Sequence, residues 1–211
     1  MALFNICAGH GANDSGAVGP GRRQEKDDNL SMALKVGEEL TNRGHTVRLL
    51  RTDDSINNTW RICRDWLEKN PADFSLVFHR NAYNGKVGGV EVWSFDSDSL
   101  SSKIAVEMSG ALAGAGDFSN RGRKGNGAAW LSEKVRCCQL EIGFIDCESD
   151  NQKFDLHFES IKNAVCDTMC KFFEATNNNE LQKLQDEVRK QKETISIMQN
   201  KINAIKTILE S

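Results

Sequence analysis

Residues 3–28 read LFNICAGHGANDSGAVGPGRRQEKDD. Leu3 to Ala8 is apolar and bounded by glycine, the signature of a buried strand. The chain then turns at Gly9-His10-Gly11 and crosses a loop of small residues before reaching Glu25, where helical spacing begins. A strand carrying His10 to its tip, a loop, and a helix opening near Glu25 bring the two side chains together. Such a layout sets two metal ligands side by side without a short-spaced motif.

The alternation continues downstream. From Glu25 to Arg43, Leu30, Ala33, Leu34, Val36 and Leu40 fall at helical spacing, and Asn42-Arg43-Gly44 supplies a stop. His45 to Leu50 alternates as a second strand, and a helix follows from about Asn57 to Lys69, with Trp60, Cys63, Trp66 and Leu67 on one side. Asp73 to Phe78 is a third strand ending at His79, and Val90 to Trp93 a fourth. Leu100 to Ala113 reads as a helix, Gly114 to Gly127 as a glycine-rich loop, and Cys137 to Leu140 as a last strand ending at Glu141. Asn151 to Glu174 reads as one long amphipathic helix. The pattern predicts an α/β fold, a single domain whose twisted, mainly parallel or mixed sheet is flanked by helices. Ligands in such folds gather beyond the carboxyl ends of the strands. His10, His79 and Glu141 each stand just after a strand-like run.

Composition narrows the class. With 39% hydrophobic and 27% charged residues the chain is globular, and a net charge of -3 without a Lys/Arg run argues against a nucleic-acid partner. No apolar run approaches the roughly 20 residues of a membrane span, so no membrane insertion is expected. MALFNICAGHG is interrupted too soon for a signal peptide, which predicts synthesis in the cytoplasm and action after release. The seven cysteines form no zinc-ribbon pair and read as reduced, mostly buried thiols, with Cys166 and Cys170 in the core.

After Thr176-Asn177-Asn178-Asn179 the character changes. Leu181, Leu184, Val188, Gln191, Ile195, Met198, Ile202, Ile205 and Leu209 recur at alternating spacings of 3 and 4. That is a heptad seam, which predicts a C-terminal coiled-coil helix and a homo-oligomer through residues 180–211. The organisation expected is a catalytic domain over 1–175, a short linker over 176–179 and an oligomerisation helix over 180–211.

Two histidines and a carboxylate suit a catalytic zinc that keeps a fourth position open. His10, Glu25 and His79 can form such a set, and Glu141, followed by Ile142-Gly143-Phe144, is placed to move a proton beside it. A phosphate-loop reading fails, because Gly9-His10-Gly11-Ala12-Asn13-Asp14 lacks the last glycine of GxGxxG and no GK[ST] occurs. His45 and His157 read as structural or surface residues, Asp53-Asp54 as solvated or capping the next helix. Trp60 and Trp66 fit a core or half-buried helix face, whereas Trp93 or Trp130 could line a sugar-binding groove.

ICAGHGANDSGAVGPGRRQE resembles the opening of the zinc-dependent N-acetylmuramoyl-L-alanine amidases of the amidase-3, or cell-wall hydrolase, family. The likeness continues through GHTVRLLRTDD, the Arg61 helix, ADFSLVFHRNAYNGKVGGVEVW, NRGRK and CQLEIGFIDCESD, in family order, over residues 3–172. It implies that His10, Glu25 and His79 are ligands of Zn2+, that Glu141 is the catalytic glutamate, and that Asn81, Gly89 and Arg121 sit at the rim of the site. The implied reaction is hydrolysis of the amide between N-acetylmuramic acid and L-alanine in bacterial peptidoglycan, by an endolysin or autolysin. Two departures stand out. Phe78 and Arg80 flank His79 where the family has a small or aliphatic residue before and a small one after, so Arg80 is expected to alter substrate preference. Asp146-Cys147 stands where an Asn is common. The competing readings are a non-catalytic wall-binding protein on the same fold and a zinc peptidase cutting within the stem peptide.

Overall fold

The computed structural model describes residues 1–125 and 133–209. The chain divides into two units, Met1–Phe172 and Phe173–Ser211. In the first, β1 (Leu3–Ala8), α1 (Glu25–Asn42), β2 (Thr46–Leu49), α2 (Trp60–Lys69) and β3 (Phe74–Asn81) follow one another. Then come β4 (Val90–Ser94), α3 (Ser99–Gly116), β5 (Asn120–Gly125), β6 (Cys137–Phe144), α4 (Glu148–Leu156) and α5 (Phe158–Leu209), whose helix runs on into the second unit.

The strands form one mixed sheet in the order β2-β1-β3-β6-β4-β5. β1, β2, β3 and β6 run parallel, β4 pairs antiparallel with β6, and β5 pairs parallel with β4. The chain leaves β1 toward β2 on one side and returns through α2 to β3 on the other. The connections therefore diverge at the carboxyl ends of β1 and β3, the switch point where open α/β sheets hold their ligands.

The two sheet faces differ in chemistry because side chains alternate along each strand. Phe4, Ile6, Phe74, Leu76, Phe78, Val90, Val92, Cys138, Leu140 and Ile142 occupy one set of positions and are buried. The alternate positions carry smaller or polar residues: Asn5, Cys7, Ser75, Val77, His79, Glu91, Trp93, Gln139 and Glu141. On this second face α2 covers Cys7 and Val77 with Cys63 and Leu67, and Trp66 packs partly buried against the same group. The polar ends of β3, β6 and β4 lie beyond that cover.

Three expectations are corrected. Residues 120–125, within the stretch read as a glycine-rich loop, form the edge strand β5; its charged, half-exposed residues are those an edge tolerates. Glu141 lies inside β6 and His79 inside β3, in register with each other, rather than just after their strands. The helix expected over 151–174 is two: α4 spans Glu148–Leu156 with His157 as its C-cap, and α5 begins at Phe158. All seven cysteines are buried and outside any disulfide. Among the described residues no helix is long and apolar enough to cross a membrane. Trp130 lies outside the described residues.

Candidate metal centre

His10 is delivered by the end of β1. The Gly9 amide donates to the Phe78 carbonyl at 2.9 Å, extending the β1–β3 pairing by one residue. The chain then kinks: His10 has φ of 62°, in the left-handed region that a residue with a Cβ seldom adopts. That conformation is held from several sides. The His10 amide donates to the Asn58 carbonyl at 3.2 Å, and the Asn58 side chain to the Ala8 carbonyl at 2.7 Å. Fully buried Arg51 donates to the carbonyls of Gly9 and Lys26. Asp54 accepts from the Ala12 amide and Lys26 Nζ, so it fastens this loop, and the next helix is capped by Thr59 instead.

Two glycines leave room for the ligating groups. A Cβ at Gly9 would lie 2.3 Å from the His79 ring, and one at Gly16 would lie 2.6 Å from Glu25 Oε2. Backbone approaches this close admit no side chain.

Glu25, at the first position of α1, is 4% exposed and sits between the two imidazoles. His79 Nδ1 lies 2.9 Å from Glu25 Oε1, and His10 Nε2 lies 3.2 Å from Oε2. The Ala17 amide donates to Oε2 and the Arg80 amide to Oε1, each at 3.0 Å. Candidate ligand atoms of His10, Glu25 and His79 all fall within 4.8 Å of one another. Asp14 Oδ2 faces His10 Nδ1 at 2.9 Å, which fixes the tautomer that leaves Nε2 turned to the centre. Two imidazole nitrogens and a carboxylate oxygen are donors that zinc favours, and the open side faces the cleft.

The electrostatics suit a cation. Burial acts to lower the pKa of His10, but the hydrogen bonds and charges of Glu25 and Asp14 outweigh it and raise it to about 9. Burial acts to raise that of Glu25, yet the two histidines hold it far below the usual carboxylate range. Two carboxylates that retain a proton on His10 provide the negative charge a dication requires.

Glu141 stands beside this group. In register, His79 on β3 faces Glu141 on β6, and Glu141 faces Glu91 on β4. Directly opposed residues share a sheet face, with Cβ atoms about 4.5–5.5 Å apart. Glu141 is 7% exposed, and Gln139 Nε2 donates to its Oε1 at 2.6 Å. Burial raises its pKa to about 7, with His79 opposing and the charges of Glu25 and Glu91 adding to the rise. Glu91 in turn accepts from Asn81 Nδ2, Trp93 Nε1 and Arg121 Nε, at 2.9, 3.2 and 2.8 Å. One cleft of about 520 Å³ is lined by the triad, Glu141, Gln139, Asn81, Glu91, Trp93 and Trp60, among others.

All four residues singled out from sequence thus meet at one cleft. Asn81 lines it, and Arg121 braces Glu91. Gly89 acts differently, since its amide donates to Asp150 and a Cβ there would strike the Ser119 carbonyl. His45 is buried, accepting from the Ala2 amide. Trp60, expected on a core or half-buried helix face, is 45% exposed and lines the cleft. Arg80, expected to alter substrate preference, is 3% exposed, with its guanidinium turned to Asp28 and Asn151. Sequence reasoning does not pick out Gln139 and Glu91, although polar residues at alternate positions of apolar strands, Gln139/Glu141 and Glu91/Trp93, are a readable signal.

A family model described as N-acetylmuramoyl-L-alanine amidase matches residues 5–171. The chain is similar to the probable cell wall amidase LytH of Staphylococcus aureus, 28% identical over 175 residues covering 79% of this chain and 57% of that protein. It therefore spans little more than half the length of the curated relatives it matches. Among solved structures, the catalytic domain of CwlV, an N-acetylmuramoyl-L-alanine amidase from Bacillus (Paenibacillus) polymyxa var. colistinus, is 28% identical with a TM-score of 0.74. That likeness covers 82% of this chain and 99% of CwlV's domain. An N-acetylmuramoyl-L-alanine amidase from Clostridium difficile 630 shares the fold at a TM-score of 0.76 and 23% identity, covering 82% of this chain and 96% of that one.

Asp14→Asn tests the support of His10. Removing the charge opposite Nδ1 is expected to weaken zinc binding by about 10–100-fold, read by competition with a chromophoric chelator. Affinity equal to that of the unaltered chain would show that Asp14 does not orient a ligand.

Proposed function

This chain belongs to the N-acetylmuramoyl-L-alanine amidase family, and from that premise we propose that it is a zinc-dependent peptidoglycan amidase. The bond cut is the amide between the lactyl group of N-acetylmuramic acid and L-alanine. The observation that carries this reading is the buried Glu141 in register beside His79, at the edge of a His-Glu-His triad opening on one cleft.

His10, Glu25 and His79 would hold the zinc, with Asp14 behind His10. When bound, zinc supplies Lewis acidity, which activates water and polarises a carbonyl at neutral pH. The chain's own residues do the rest. Glu141, fixed by Gln139, takes the proton that water loses on attacking the amide carbon. As the carbon–nitrogen bond breaks, Glu141 returns that proton to the departing alanine nitrogen. A buried carboxyl beside the metal ligands, its pKa raised above the ordinary carboxylate range in the metal-free chain, is the kind of group that can take and return a proton. Asn81, Trp93 and Glu91 form the far wall on which the substrate rests.

The organisation we assign is a catalytic domain over 1–175 and an oligomerisation segment over 180–211, with the expected linker residues 176–179 lying within the helix α5. On α5, Val188, Ile195 and Met198 are 48%, 64% and 58% exposed, and all three belong to the heptad seam. Exposed apolar residues at that spacing favour self-association. Linked active domains raise avidity for a polymeric wall, by about 100-fold or more in favourable geometry. The place of action is the bacterial wall. The role assigned is endolysin-type lysis; autolysis of the producing cell is the other setting for the same chemistry.

Purified peptidoglycan incubated with the protein, and with a chelated control to which zinc is restored, tests the reaction. Mass spectrometry is expected to find free stem peptides beginning with L-alanine, lost on chelation and regained with zinc. A different new terminus would assign a peptidase; no cleavage with zinc bound would assign a wall-binding module. Glu141→Gln is expected to keep zinc and fold while losing at least about 100-fold in rate, and near-normal lysis would remove Glu141 from the proton transfer. Truncation after Thr176 is expected to leave a folded monomer by light scattering. An unchanged oligomer would contradict the assignment of the C-terminal helix.

A further inference from the structure

The side chain of Arg80 does something other than face substrate. At 3% exposure its guanidinium is enclosed where three segments meet. Nη1 donates to Asp28 Oδ2, Nη2 donates to Asn151 Oδ1 at 2.9 Å, and the guanidinium carbon lies 4.2 Å from the centre of the Phe154 ring. Asn151 is itself anchored, donating to the Ile145 carbonyl at 2.8 Å. Arg23, just before α1, shares Asp28 through Nε at 2.7 Å and grips Asp155 with both terminal nitrogens, at 2.8 and 2.6 Å. The start of α1, the end of β3 and α4 are thereby tied at one point.

Asp28 and Glu25 are three residues apart on the first turn of α1, so they share a face of the helix. Arg80 holds both. Its side chain binds Asp28, while its amide donates to Glu25 Oε1 at 3.0 Å. A buried cation is a poor source of stability, since an apolar replacement of similar volume is often as stable or more so. Arg80 Nε also has no hydrogen-bond partner among the described residues. The arrangement is better explained by the place it gives to Glu25.

We propose that Arg80 is a positioning residue: by clamping Asp28 against Asn151 it fixes the turn of α1 that carries Glu25, and so sets the geometry of the His10–Glu25–His79 centre. The inference rests on the metal-site reading above and deepens it. Loss of the side chain would leave the amide bond to Glu25 but free the helix turn to rotate or slide. Asp28 would keep Arg23 as its partner, so the charge is not orphaned and the fold is expected to survive.

The test uses the full chain and zinc alone as the probe. Arg80→Met replaces the cation with an apolar side chain; Arg80→Lys keeps a charge that can reach Asp28 but cannot fork to Asn151. Zinc affinity is read by chelator competition, and thermal stability is read on the metal-free proteins. Arg80→Met is expected to melt within a few degrees of the parent yet bind zinc about 10–100-fold more weakly, with Arg80→Lys intermediate. Parental zinc affinity in both variants overturns the proposal. So does a loss of affinity in Arg80→Met that merely follows a large fall in metal-free stability while Arg80→Lys stays at parental affinity. If Arg80→Met does not fold, Arg80→Lys decides alone: a several-fold weaker affinity supports the proposal and an unchanged one overturns it. A parent chain that takes up no zinc defeats the metal-site reading, and this proposal with it.

Discussion

A carboxylate taken out of water must be met by donors on every side, and Glu25 is that carboxylate here. It is almost fully buried, yet held ionised by two imidazoles, the amides of Ala17 and Arg80, and the Asn29 side chain. The partners come from the end of β1, the loop after it, α1 itself and the end of β3. His10 requires a left-handed kink at the end of β1; Ala17 requires the small-residue loop to fold back over α1. His79 requires β3 to lie beside β1 with only a glycine between ring and backbone. The small residues from Gly9 to Gly21 are the means by which so many groups converge on one side chain.

The sheet divides the remaining work by face. Large apolar side chains at alternate positions bury one side, leaving the other free to carry His79, Glu141 and Glu91 in a row across three strands. Burial, with the charges of Glu25 and Glu91, raises the proton affinity of Glu141, while the two histidines keep Glu25 charged. Carboxylates whose environments push their proton affinities apart take different roles, one suited to holding a cation and one to moving a proton. Glu91 binds Asn81, Trp93 and Arg121 together, making the far side of the cleft a braced wall.

Much of this is legible in the sequence, and the reasons differ by element. β1, α1 and β3 carry strong period or glycine signals, and His10, Glu25 and His79 fall at their ends, where topology makes ligands meet. β5 is hidden because Asn120-Arg121-Gly122-Arg123-Lys124 has neither apolar alternation nor a hydrophobic run; it is paired on one side only. The break between α4 and α5 at His157 has no glycine or proline to announce it. Trp60 is misplaced by its pattern, because a large aromatic at helical spacing resembles core until the cleft above it is known. Arg80 misleads for the converse reason: a cation beside a ligand suggests an influence on substrate preference, and only three-dimensional packing reveals Asp28 and Asn151 around it.

The most direct test of this centre is an anomalous diffraction measurement at the zinc edge on crystals of the full chain grown with zinc. The expected result is one anomalous peak bonded to His10 Nε2, His79 Nδ1 and a Glu25 oxygen at about 2.0–2.2 Å, with its open side toward Glu141. A peak held by other residues, or none at this triad in zinc-loaded protein, would contradict the central claim.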